Sequence, residues 1–110
     1  MSDSAKPVTW QGDMLFGILS TRFCSTELAA SADRLVLTGP LGKRFALPAT
    51  DIEGIETGQW SIWFLSRLRS GCIRIRHHVD GVPKRLLFSA KATTSQQIAQ
   101  ELEELGYERL

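Results

Sequence analysis

Over several short stretches of this chain, apolar and polar positions alternate with a period of two, and helical spacing takes over only near the end. In Arg34 to Thr38, Leu35 and Leu37 alternate with Arg34, Val36 and Thr38, which predicts a strand with one buried face. In KRFAL, Phe45 and Leu47 take one face and Arg44 and Ala46 the other. Ser31-Ala32-Asp33 and Gly39-Pro40-Leu41-Gly42 supply the turns on either side of the first of these strands, and Pro48 closes the second. An earlier strand is expected from about Phe23 to Ala30. Residues 1–22, polar at first and carrying Pro7 and Gly12, are expected to form a partly ordered lead-in.

After a short turn at Pro48 to Asp51, Ile52 and Ile55 stand three apart, which one face of a flat strand does not allow. Gly54 between them predicts a bulge or bend. Trp60, Ile62 and Phe64 alternate with Trp63 and Leu65, so this stretch is expected to be a strand apolar on both faces, with a short helix as the alternative. In GCIRIRHHVDGVPKRLLF, residues 71–88, Asp80-Gly81 predicts a tight two-residue turn. Pairing Val79 with Val82 then sets Ile75 opposite Leu86 and Ile73 opposite Phe88, and places Arg74, Arg76 and Arg85 together on the outer face. Finally, Thr94 with Gln97 fits a capping box, Ile98, Ala99, Leu102 and Leu105 recur at helical spacing, and Gly106 marks the stop.

About seven short strands followed by one amphipathic helix define a mainly β fold with one C-terminal α-helix. The geometry that satisfies both is a partly open antiparallel barrel with the helix capping its uncovered end. RLVLTGPLGKRFALPATDIEGIE, then GCIRIRHH with KRLLFSA, then the closing ELEELGY resemble the small bacterial pleckstrin-homology-like and GRAM-like domains over about residues 23–107. The resemblance implies that barrel and a binding or assembly role. Lipid-binding members gather basic residues at the first hairpin loop; here that loop is Ser31-Ala32-Asp33, with only Arg34 beside it, and inositol-phosphate recognition is not implied.

Composition adds limits. With 43% hydrophobic and 23% charged residues the chain is an ordinary globular domain, and a net charge of +1 argues against whole-molecule attraction to nucleic acid. Charge is uneven, however: residues 43–85 carry +4 while the segments before and after carry −1 and −2. An anionic partner therefore belongs to the middle of the chain. The longest apolar runs are far shorter than the roughly 20 residues that span a bilayer, so no transmembrane segment is expected. Two cysteines, Cys24 and Cys72, make no disulfide framework and imply a reducing, cytoplasmic setting.

Candidate chemistry is sparse. His77 and His78 are adjacent on a strand and point to opposite faces, so they do not share a metal; His77 is expected at the rim, facing Lys84. GPLGKR sits between strands and lacks P-loop spacing. No catalytic constellation, metal or cofactor is expected. Two surfaces remain. Arg74, Arg76 and Arg85 crowd like charges on one face, which an anionic partner would relieve. Trp60 and Trp63 mark a contact for a protein partner or a second copy. The expectation is a non-enzymatic module for protein contact or self-association, with peripheral binding to anionic lipid headgroups as the alternative.

Overall fold

The computed structural model describes residues 7–17, 19–20, 25–58 and 71–110. Among the described residues there are eight strands: β1 (Val8–Phe16), β2 (Leu19–Ser20), β3 (Thr26–Ala30), β4 (Arg34–Thr38), β5 (Arg44–Pro48), β6 (Ile52–Gly58), β7 (Cys72–His77) and β8 (Leu86–Ala90), followed by α1 (Ser95–Glu104). All strand pairs are antiparallel, in the order β5-β4-β3-β1-β8-β7-β6, and the two-residue β2 pairs with β1 off this path. The sheet curls into a half-barrel. Phe16 and Phe45 show the curl directly, because their rings meet edge to face at 5.5 Å although β3 and β4 separate their strands.

The centre of the sheet lies where the sequence predicted a lead-in. β1 pairs with β3 on one side and β8 on the other, with Trp10, Met14 and Phe16 turned to the core. Its pattern is concealed because the inward position between Trp10 and Met14 is Gly12, and the outward ones are Gln11 and Asp13. A Cβ on Gly12 would collide with the Ser89 carbonyl, so the glycine is what lets β1 and β8 approach. The domain therefore reaches back to Val8.

Other expectations are met in detail. Leu35, Leu37 and Leu47 are fully buried, and Phe45 nearly so. β6 has its irregularity between Ile52 and Gly54, which brings Ile55 opposite Ile75 in the core. Ile73 stands opposite Phe88 as the hairpin register requires. The turn itself differs. Gly81 alone has a positive φ (82°), Asp80 does not, and the β7–β8 ladder stops at Arg74 and Leu87, well before the turn. Pro83 has no N–H for a ladder, so the connection is a wider loop over residues 78–85.

At α1, the Thr94 hydroxyl accepts from the Gln97 backbone N–H at 3.2 Å, while the Gln97 side chain reaches forward to Glu101, so only half of the capping box forms. Ile98, Ala99 and Leu102 are buried against the sheet, and the helix packs on β6 and β7. Gly106 (φ 111°) ends it: Tyr107 N–H donates to Leu102 and Gly106 N–H to Glu103. The Tyr107 hydroxyl then donates to the Ser31 carbonyl at 2.6 Å, tying the helix exit to the β3–β4 turn. Beyond it the chain lies along β6: Ile55 N–H donates to the Glu108 carbonyl at 2.8 Å and Leu110 N–H to the Ile55 carbonyl at 2.9 Å. The β6 edge is thereby covered. The β5 edge is blunted differently, since Pro48 has no N–H to offer and the strand is only five residues long.

Candidate functional site: the basic loop end

β4 runs from the helix-capped end of the half-barrel to the opposite one, where it turns through Pro40–Gly42 into β5. At the tip of that turn Leu41 is fully exposed and adopts φ 58°, ψ 32°, the left-handed region that disfavours a side chain. A leucine there loses twice, leaving its apolar surface in water and its backbone strained. Such strain persists where the surroundings impose it, and it tends to mark functional positions.

Cations flank the leucine. Lys43 Nζ lies 5.6 Å from the Phe16 ring and 5.7 Å from the Phe45 ring, a cation–π contact with both aromatics at the mouth of the core. Phe16 also leads into Gly17, whose N–H donates to the Arg85 carbonyl at 2.9 Å. The β7–β8 loop is thus joined to the same end, carrying exposed Lys84 and Arg85. Neither side chain makes an ion pair or hydrogen bond among the described residues.

His77 shapes this loop. It is 4% exposed, not at the rim, and faces Pro83 rather than Lys84. Its Nδ1 accepts from Val79 N–H at 3.0 Å, which fixes the neutral tautomer in which Nε2 donates to the Pro83 carbonyl at 2.9 Å. The ring thereby makes the hydrogen bonds that the ladder lacks beyond β7. His78 points outward as expected and sits 3.6 Å from both Asp51 and Glu53. Among the described residues no group of three or more His, Cys, Asp or Glu is arranged to hold a metal ion.

The three arginines do not share one environment. Arg76 pairs with Glu56 at 3.2 Å. Arg74 is half-buried, with its Nε enclosed and lacking a hydrogen-bond partner. Arg85 remains exposed and belongs to the loop end. Arg85 lies outside β8, in the loop, so the expected pairing of Arg76 with Arg85 does not form, and Glu56 holds Arg76 instead. Cys72, beside Leu15 and Leu87, is buried, and burial pushes its thiol pKa up, away from nucleophilic reactivity. Trp60, Trp63 and Cys24 lie outside the described residues.

Finding β1 also reassigns the loops. Ser31-Ala32-Asp33 joins the sheet's β3 to β4, so the first hairpin of the half-barrel is the connection between β1 and β3. Leu41 escaped the sequence argument because it sits inside a turn signal, where Pro40 and Gly42 draw attention and the residue between them is read as filler. A large apolar residue between two turn formers was the available cue. Comparison with protein-family models and with curated proteins finds no match for this chain.

Proposed function

We propose that this chain is a non-enzymatic, pleckstrin-homology-like binding module that docks peripherally on an anionic membrane surface through its basic loop end. The observation that carries the proposal is Leu41, held fully exposed at a strained turn tip beside Lys43, with Lys84 and Arg85 on the neighbouring loop. An apolar tip at an end that also carries exposed cations matches the chemistry of the interface, where hydrocarbon lies beneath a layer of negative headgroups. Each cation near such a surface contributes about 1 kcal/mol, and burying a leucine side chain adds about 1.5–3 kcal/mol. No described helix is long and apolar enough to cross a membrane, so the contact proposed is a surface one.

Vesicle sedimentation tests it. Wild-type protein is expected to sediment with vesicles containing phosphatidylserine, to ignore pure phosphatidylcholine, and to lose binding as salt rises. Reversing Lys84 and Arg85 together to glutamate is expected to weaken binding by a factor of about 30 or more, since two attractions of about 1 kcal/mol each are removed and repulsions replace them. Unchanged sedimentation of a folded double variant overturns the membrane role and leaves contact with a protein or a second copy through Trp60 and Trp63.

A further inference from the structure

A second surface lies on the outside of the sheet, running along β4 from Arg34 to the Thr38 and Arg44 row beside the loop end. Because Leu28, Leu35, Leu37, Phe45 and Leu47 face the core, the residues alternating with them face outward. The registers arrange these in rows across the strands. Glu27, Thr38 and Arg44 form one row; Ala29, Val36 and Ala46 the next; Arg34 and Pro48 the third. Ala29 and Val36 floor a shallow groove of about 260 Å³ on the β3–β4 side, lined also by Glu27, Ser31 and Thr38, with Arg34 towards one end and Arg44 towards the other. Among the described residues neither Arg34, Arg44 nor Glu27 makes a side-chain ion pair or hydrogen bond, whereas Arg76 and Arg109 each hold a carboxylate.

We infer that this groove binds an extended acidic segment of another protein, with carboxylates at positions i and i+4 and an apolar side chain at i+2. The spacing follows from strand geometry. Outward side chains recur every two residues, roughly 6.6–6.8 Å apart, so the Arg34 and Arg44 rows are separated by about 13 Å with the Val36 row midway. An extended segment lying along the strands has that same pitch, and its i, i+2 and i+4 side chains fall on the three rows. Guanidinium suits carboxylate because its planar fork donates two parallel hydrogen bonds. Glu27 lines the groove at the β3 end of the Arg44 row and repels a carboxylate, so the carboxylate of that row is held on the Arg44 side of Thr38. The groove is separate from Leu41, Lys84 and Arg85, and it does not depend on membrane docking.

The test uses a short fluorescent peptide with glutamates at i and i+4 around a valine, beside a control in which the same residues are permuted. Binding read by anisotropy is expected to be salt-sensitive, with amide shifts centred on Ala29, Val36 and Ala46. Arg34→Glu is expected to lower affinity about tenfold, as is Arg44→Glu. The Lys84 and Arg85 reversals are expected to leave it unchanged, which separates this site from the membrane surface. Arg34→Gln serves as a milder variant should the reversal disturb folding. Equal affinity for the permuted peptide, no binding at millimolar peptide, or insensitivity to both Arg34 variants overturns the proposal.

Discussion

At the end of the half-barrel near Ser31, α1 lays Ile98, Ala99 and Leu102 into the core, and Tyr107 fastens the exit by a hydrogen bond across to the β3–β4 turn. At the opposite end, Leu41 is turned outward, Lys43 lies over Phe16 and Phe45, and Lys84 and Arg85 face solvent. The helix end buries its large apolar groups apart from the terminal Leu110, whereas the loop end exposes Leu41 fully, at a backbone angle that a leucine resists. Stability resides at the helix end, and the loop end has given some of it up. A stability cost that no packing explains is the expected mark of a contact surface.

Separate substitutions at the two ends should therefore give opposite results. The largest effect belongs to the helix end: Leu102→Ala, at a fully buried site, is expected to cost about 2–5 kcal/mol in urea denaturation. A loss below 1 kcal/mol would mean that the helix does not seal the core. Tyr107 gives the next effect. Burial, and then the charge of Asp33, push its hydroxyl pKa up from 10.0 to about 12. The neutral phenol is thus favoured in the folded state, so its contribution is complete below pH 10 and disappears as pH rises towards 12. About 2–3 kcal/mol of stability should be lost across that window. Tyr107 is the only tyrosine, so its phenolate absorbance reads the titration directly, and Tyr107→Phe should flatten the alkaline loss. The smallest effect lies on the outer face. Arg76→Ala breaks only an exposed pair with Glu56 and is expected to change the unfolding free energy in urea denaturation by less than about 1 kcal/mol.

Legibility in the sequence followed the same division. Leu35, Leu37, Ile73 and Phe88 could be placed because alternation and register are local patterns that burial enforces. The bulge before Ile55 and the Gly106 stop were legible for the same reason, since each rests on one residue's backbone freedom. β1 was hidden by Gly12, whose role is to have no side chain against Ser89, a relation between strands far apart in sequence. The ion pair between Arg76 and Glu56 and the His77 bond to Pro83 likewise depend on which segments the fold brings together. The three arginines formed a patch only while β7 and β8 were considered without β6.

The most direct test of the contrast between the ends is the vesicle-bound fraction of Leu41→Asn, because asparagine accepts the left-handed backbone and lacks the apolar side chain. Its unfolding free energy, from urea denaturation of the same samples, should rise by about 1 kcal/mol as strain is relieved. The result predicted is a more stable protein whose sedimentation with phosphatidylserine vesicles falls by a factor of about ten or more, as expected when a leucine no longer enters the interface. A variant that gains stability and sediments as well as the wild type would contradict it, leaving Leu41 as strain without a contact to serve.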